Sequence, residues 1–178
     1  MWIKSNPGSN QGANGLQTFN FENLLGLVIL RLVLVLSGTF TKAQITDIKI
    51  KANGGKMLIE ATGTEADNRM TFRGHAATVG LLSLDFSERK SKTIVGQYLG
   101  ALNTVKAGVS SLTGEFTVAG ATTPGIEIWA ECVRPSESPE NLLSPAEAAF
   151  YGASMSKTLK FVQNFPTTSE TPTSSRVI

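Results

Sequence analysis

The sequence has one cysteine and one histidine among 178 residues, and this scarcity excludes several kinds of site. Cys132 has no partner for an internal disulfide, so the disulfide framework typical of small secreted domains is absent. We expect it to be a small core residue. His75 follows Gly74 and has no second histidine or cysteine cluster with which to form a zinc site. We interpret it as a loop residue that is exposed to solvent or hydrogen-bonded.

Charged residues are also few, at 17% of the chain, whereas apolar residues make up 41%. This balance predicts a folded domain and excludes a disordered chain. Sixteen basic and fourteen acidic side chains give a net charge of +2. Because so small an excess produces no strong long-range field, we expect no specific nucleic-acid partner.

The sequence contains no apolar run long enough to span a membrane as a helix. The longest candidate, residues 24–36, has Arg31 in its middle and is shorter than the roughly 20 residues that a bilayer requires. A secretory signal is disfavoured, since Lys4 is the only basic residue of the polar N-terminal stretch. The Val, Ile and Leu content instead predicts a strand buried on both faces.

Motifs for catalysis or phosphate binding are missing as well. His75 would have to serve any nucleophilic triad, and no Gly-x-Ser-x-Gly elbow presents a serine. Glu127 and Glu131 lie four apart on a predicted strand, about 13 Å at roughly 3.3 Å per residue, too far for a glycosidase pair. Residues 53–56, Asn-Gly-Gly-Lys, predict a turn and lack the pattern of a phosphate-binding loop. We therefore predict no catalytic, cofactor-binding or metal-binding residues, no cofactor and no enzyme.

Lys49 and Lys51 are the one close pair of basic residues on a predicted strand, and no aromatic side chain accompanies them. A surface for single-stranded nucleic acid interleaves basic and aromatic residues. We interpret the two lysines as a solvated face.

The order of polar and apolar segments predicts three regions. Residues 1–19 carry glycine, asparagine and serine with little to bury, which predicts a flexible N-terminal arm. Residues 20–136 show short apolar runs broken by turns about every ten residues, the spacing of an all-β sandwich. Residues 137–178 begin with a proline-rich linker. A short helix over Ala146–Met155 follows, capped by Ser144, and then one strand over Thr158–Phe165.

Within the central region, alternation of apolar and polar residues predicts a hairpin around Asn53 and half-buried strands over 82–86, 112–118 and 126–132. The last strand places Ile128 and Cys132 inward and Trp129 outward. Thr64 with Asp67 predicts the start of a short helix over 65–72.

Four segments resemble the N-terminal roll of double jelly-roll major capsid proteins of tailless icosahedral DNA viruses of the tectivirus and corticovirus type. The first is RLVLVLSGTFTKAQITDIKIKANGGKMLIEATG at residues 31–63. RGHAATVGLLSLDFSE, TIVGQYLGALNT and SSLTGEFTVAGATTPGIEIWAE follow at residues 73–88, 93–104 and 110–131.

The resemblance implies an eight-stranded jelly-roll sandwich with one or two short helices, then the linker, the short helix and the first strand of a second roll. It implies a structural capsid protein of the virion, assembled in the host cytoplasm as a homotrimer or larger assembly with other capsid proteins, and facing an internal viral membrane. Because residues 137–178 hold only the first strand of a second roll, the chain is either truncated or a single-roll relative.

The alternative from another functional class is a carbohydrate-binding β-sandwich module, since that architecture also hosts lectins. Such a module would need exposed aromatic residues, and the chain has only two tryptophans and two tyrosines. The capsid interpretation is therefore preferred.

Overall fold

The computed structural model describes residues 1–75, 78–88, 90–98 and 100–137. In this part of the chain, strands dominate and the helices are short. The strands are β1 (Trp2–Lys4), β2 (Gly15–Asn20), β3 (Val28–Thr39), β4 (Ile45–Ala52), β5 (Lys56–Ala61), β6 (Leu81–Asp85), β7 (Leu102–Asn103), β8 (Leu112–Val118) and β9 (Thr122–Val133). The helices are α1 (Gly63–Phe72) and α2 (Ile94–Tyr98), with 3₁₀ turns at Glu22–Leu24, Lys42–Gln44 and Pro135–Glu137.

The strands form two antiparallel sheets. Sheet I has the order β1-β9-β3-β6, with the two-residue β7 also pairing with β3, and sheet II has the order β2-β8-β4-β5. The chain passes back and forth between the sheets, and the strands β1 and β9 from the two ends of this part of the chain are neighbours in sheet I. Apart from β7, this is the eight-stranded jelly roll that the sequence predicts.

The core lies between the sheets and is built by period-two alternation. β8 alternates buried and half-buried residues along its whole length, and β9 does so from Pro124 onward. This confirms the predicted inward face of β9, where Ile128 is 1% exposed and Cys132 fully buried. The predicted hairpin is also confirmed, because β4 and β5 pair through a turn in which Asn53 and Gly54 have positive φ.

The N-terminal region differs from the expected flexible arm. Trp2 of β1 is the register partner of Glu131, and all six residues of β2 pair with β8. Composition misses these strands because few of their inward residues are apolar: Phe19 is 3% exposed and Ile3 is partly buried against the core, but the buried Gln17 is polar. Their remaining stabilisation comes from backbone hydrogen bonds to strands that lie far away in sequence. The roll therefore begins at Trp2.

In the apolar run over residues 24–36, the strand begins later than predicted and is less buried than predicted. Leu24 belongs to a 3₁₀ turn, and β3 starts at Val28. Three consecutive residues of β3, Val28 to Leu30, are buried, and from Arg31 to Val35 half-buried and buried residues alternate. This is the pattern of an antiparallel sheet with one face turned away from the core, in contrast to the continuous burial of a parallel sheet.

Helix α1 begins two residues before the predicted start. The N-cap is Thr62, whose hydroxyl accepts a hydrogen bond from the backbone N–H of Glu65 at 3.2 Å. The Glu65 carboxylate accepts in turn from the Thr62 N–H at 2.8 Å. Thr64 and Asp67 lie inside the helix, so the predicted cap at Thr64 is wrong. Gly63 permits the earlier start, since a side chain there would collide with the Lys42 carbonyl.

The predicted helix over Ala146–Met155 and the predicted strand over Thr158–Phe165 lie outside the described residues. Among the residues that are described, no helix has the length and hydropathy that crossing a bilayer requires.

Candidate functional site

The two lysines of β4 lie on the outer face of sheet II and are neutralised by acidic neighbours. The ammonium group of Lys51 lies 2.7 Å from both carboxylate oxygens of Glu115. Lys49 donates to Asp47 and lies 3.9 Å from Glu60. The hydrogen bond to Asp47 raises the pKa of Lys49 above its usual value. Because both cations already have carboxylate partners, this face offers no unpaired basic stripe for a nucleic acid.

Glu127 and Glu131 lie on the outer face of sheet I, with Trp129 between them. Glu127 accepts hydrogen bonds from Lys4 at 2.7 Å and from the Trp129 indole N–H. The Lys4 hydrogen bond, with a smaller contribution from Trp129, lowers the pKa of Glu127. Glu131 pairs with Arg31 at 2.7 Å. Each carboxylate is therefore bound to its own cation, and the two do not form an acid–base pair.

Both tryptophans take part in the same network. The Arg31 guanidinium lies 5.0 Å from the centre of the Trp2 ring, and the Lys4 ammonium lies 5.8 Å from that of Trp129. Such cation–π contacts hold the rings against the sheet. The predicted outward direction of Trp129 is confirmed by its place in this network.

A third polar group, which the sequence does not predict, lies where α1 meets β6. The Asp85 side chain is only 3% exposed. It accepts a hydrogen bond from the Ser83 hydroxyl at 2.6 Å and lies 2.9 Å from His75 Nε2. Alternation along β6 predicts that Ser83 and Asp85 face solvent. In the structure, the chain segment after α1 packs over these two residues and buries them. The alternation along β6 does not predict that another segment of the chain covers these residues.

Two arginines, one within α1 and one at its C-terminus, border the same group. Arg73 donates to the Asp85 carbonyl at 3.2 Å and to the Glu88 carboxylate at 2.6 Å. Burial, and then repulsion from Arg73, lowers the pKa of Arg69. A cavity of about 140 Å³ lies between these arginines, Ser83 and Asp85.

The order of contacts in this cluster does not match a nucleophilic triad. A triad requires the histidine to contact the nucleophile and the carboxylate to contact the histidine. Here Asp85 lies between Ser83 and His75, so the carboxylate is bound to the hydroxyl directly. The cluster anchors the loop after α1 to sheet I. We expected His75 to be either exposed to solvent or hydrogen-bonded, and the structure shows it bound to Asp85.

Cys132 is fully buried in sheet I, which confirms the prediction of a core residue. Burial raises the pKa of its thiol to about 12, so almost no nucleophilic thiolate is present at neutral pH. Across residues 1–75, 78–88, 90–98 and 100–137, histidine, cysteine and acidic side chains form no group of three that could hold a metal ion.

Large apolar side chains remain exposed at several points of the described surface. Their exposed fractions range from 36% to 99%, and they are Trp2, Leu16, Phe72, Val79, Leu81 and Val105, together with Met1. Exposed apolar side chains of this kind make the surface of the described structure a candidate for contacts with partners.

Comparison with known proteins gives one family and several structures. The family model described as "Viral coat protein P2 N-terminal domain" matches residues 3–133. The major capsid protein P2 from bacteriophage PM2 superposes with a TM-score of 0.64 at 19% identity, covering 75% of this chain and 50% of that protein. The chain thus spans about half the length of that capsid protein.

Two further structures cover more of this chain with a poorer superposition. They are PBCV-1 VP54 fitted into a reconstruction of the virophage Sputnik, with a TM-score of 0.48, and the quasi-atomic model of the PBCV-1 virus capsid, with 0.49. Both are 13% identical and cover 85% of this chain and 44% of theirs. No curated protein sequence matches the chain.

Proposed function

Because the chain belongs to the family of viral coat protein P2 N-terminal domains, we propose that it is a structural coat subunit that assembles with copies of itself and with other capsid proteins into the icosahedral shell of a virion. The observation that carries this proposal is the match of the family model to residues 3–133. Those residues coincide with the complete roll, from β1 to the end of β9.

The surface chemistry supports a structural role without catalysis. Among the described residues, Ser83, Asp85 and His75 come nearest to the arrangement of a catalytic site, and these side chains bind one another. Ion-paired outer faces such as that of Lys51 and Glu115 suit contacts between protein subunits. They do not provide the unpaired positive charge that a specific nucleic-acid contact requires.

The finer parts of the proposal rest on the resemblance to double jelly-roll capsid proteins. In this proposal the subunits form homotrimers, the trimers face an internal viral membrane, and assembly takes place in the host cytoplasm. A single roll whose two sheets end in the edge strands β1, β6, β2 and β5 leaves backbone groups that neighbouring subunits can cover, which favours self-association.

Light scattering and negative-stain microscopy of the purified full chain test the proposal. We expect trimers or larger species at micromolar concentration, and capsid-sized particles when the other capsid proteins are present. A chain that stays monomeric under both conditions and binds sugars on a glycan array would contradict it. That result would support the carbohydrate-binding alternative.

A further inference from the structure

Strand β2 is an edge strand of sheet II, and one side of its backbone faces away from the sheet. All of β2 pairs with β8, and the Phe21 N–H just beyond it donates to the Leu112 carbonyl at 2.9 Å. Because backbone direction alternates along an antiparallel strand, the odd-numbered residues of β2 bond to β8 and the even-numbered ones point outward. Each outward residue has one N–H and one C=O. Six backbone groups therefore point away from the roll, at Leu16, Thr18 and Asn20.

Two residues that precede β2 cover part of this outward edge. We call Ser9 and Asn10 the strap. The Ser9 N–H donates to the Thr18 carbonyl at 2.8 Å, and the Ser9 hydroxyl oxygen accepts from the Thr18 N–H at 3.3 Å. The Asn10 side-chain amide donates to the Leu16 carbonyl at 3.1 Å. The strap thus binds three of the six outward groups, and two of these three hydrogen bonds use its side chains.

The two strap residues are exposed, and the residues on either side of them are held in place. Gly8 lies on the ring of the buried Phe19, where a larger side chain would collide. The Gln11 side chain accepts a hydrogen bond from a backbone N–H of β9 at 2.9 Å. Exposed hydrogen bonds such as those of the strap open locally. Ser9 and Asn10 can therefore turn away from β2 while both sheets keep their pairing.

We propose that the outward edge of β2 is a binding site for β2 of a second copy of this chain, and that the strap closes this site in the free subunit. The contact rests on the proposed function, since it names one surface through which copies of the chain associate. In an antiparallel pair with two-fold symmetry, Thr18 lies opposite its counterpart in the second copy, and Leu16 lies opposite Asn20. All six outward groups of each strand then form hydrogen bonds, whereas the strap binds three of them.

The side chains of β2 suit this pairing. The strand reads Gly-Leu-Gln-Thr-Phe-Asn and has no charged residue, so like charges do not meet across the two-fold axis. Threonine opposite threonine is a favourable cross-strand pair. Leu16, which is 50% exposed, would lie against the second copy and lose part of its contact with water.

The other edge strands are less suited to adding a strand. β1 has only three residues. β5 starts at Lys56 and its pairing with β4 shifts between Ile50 and Lys51, and both lysines and bulges hinder strand addition at an edge. On β6, the Asp85 carbonyl accepts from Arg73, and α1 packs beside the strand. β2 is therefore the edge that pairing between copies favours.

Disulfide cross-linking of the full chain with one added cysteine tests the proposal. In the two-fold pair, the Cα atoms at position 18 of the two copies lie about 5.5 Å apart, a distance that a disulfide spans. We expect Thr18→Cys to give a disulfide-linked dimer at micromolar concentration under mild oxidation. Thr46→Cys, at an exposed position of β4, is the matched control and should give no linked dimer. The native Cys132 is fully buried and does not interfere.

Two further variants test the register of the pair. Leu16→Cys and Asn20→Cys should each give no linked dimer alone, because position 16 lies opposite position 20 in the two-fold arrangement. Mixed in equal amounts, the two variants should give a linked heterodimer. Equal linking in every combination, or no linked product from both Thr18→Cys and the mixture, would overturn the proposal.

Asn10→Gly in the Thr18→Cys variant tests the strap. Glycine accepts the positive φ of position 10 but removes the hydrogen bond to Leu16. We expect the rate of cross-linking to rise about fivefold, the effect of losing one hydrogen bond. An unchanged or lower rate would contradict closure of the edge by the strap.

Light scattering of the parent chain separates this proposal from the proposed function. Cross-linking at position 18 reports only the edge of β2, whereas light scattering reports every mode of self-association. A parent that stays monomeric would contradict the proposed function. A parent that associates while Thr18→Cys remains unlinked would overturn the pairing at β2 alone.

Discussion

At the scale of single residues, burial on the inner face of sheet I determines the chemistry of the one thiol. Cys132 lies on β9 opposite Ile29 of β3, and both are fully buried. Low polarity around a thiol disfavours its charged form, so the pKa rises to about 12. The same residue on a loop would react readily; here its reactivity reports whether the roll is folded.

We predict that iodoacetamide alkylates Cys132 slowly in the native protein at pH 8.5 and rapidly in the presence of denaturant. The thiolate is the reactive species, and it is nearly absent in the folded chain at that pH. Mass spectrometry over time measures both rates. Equal rates under native and denaturing conditions would show that the thiol is accessible in the folded roll.

Stability should also fall as the pH rises above the pKa of the unfolded thiol, about 9. The folded thiol keeps its proton up to about 12, whereas the unfolded one loses it from about 9, so deprotonation favours unfolding between these values. At pH 10 the loss is about 1 kcal/mol. Urea unfolding at pH 7.5 and pH 10 measures it, and Cys132→Ala should show a smaller fall between the two pH values than the parent.

At the scale of secondary-structure elements, two short local features determine where chain segments begin and reverse. Helix α1 depends on the reciprocal hydrogen bonds between Thr62 and Glu65. The β4–β5 turn depends on Gly54, which has φ of +75°, and on Asn53, whose side chain accepts from the Ser110 N–H at 2.8 Å. Asn53 thereby joins the turn to the loop before β8.

For the helix, we predict that Thr62→Ala lowers the free energy of unfolding by about 1 kcal/mol, because an unsatisfied N–H remains at the helix start. Thr64→Ala is the matched control, since Thr64 is exposed within the first turn. Alanine there should be neutral or slightly stabilising. Denaturant titration distinguishes the two sites, and a larger loss at Thr64 would mean that the helix starts where the sequence alone predicts.

For the turn, we predict that Gly54→Ala costs about 1 kcal/mol of stability and Gly55→Ala much less. Both positions have open space where the methyl group of alanine would lie, but only Gly54 has a positive φ. Thermal unfolding of the two variants measures the difference. Identical melting temperatures would show that backbone conformation at Gly54 does not constrain the hairpin.

At the scale of the whole molecule, the two ends of the described chain are joined in sheet I. The N-terminal ammonium donates to the Cys132 carbonyl at 2.6 Å, and the Ser5 N–H donates to the Ile128 carbonyl at 2.8 Å. β1 covers the edge of β9 that would otherwise be free. An uncovered edge of this kind would pair with other chains and aggregate.

We predict that Ile3→Asp lowers the melting temperature and increases aggregation, because Ile3 packs against the core and its replacement places a charge there. Asn6→Asp, at an exposed position just beyond β1, should behave like the parent. Differential scanning calorimetry and light scattering check both outcomes. If the N-terminal region were a flexible arm, neither variant would differ from the parent.

The sequence by itself determined the all-β class, the β4–β5 hairpin and the two faces of β8 and β9. These follow from alternation along one strand, which reflects how each residue partitions between the core and water. Only the tertiary structure decided that β1 and β2 are strands and that Asp85 is buried, and it selected Thr62 with Glu65 over Thr64 with Asp67 as the cap of α1. The two strands depend on β9 and β8, and the burial of Asp85 depends on the loop with His75, all of them neighbours from elsewhere in the chain. Backbone hydrogen bonding to a distant strand and burial by a distant loop do not produce an alternation of polar and apolar residues in the segments that they stabilise.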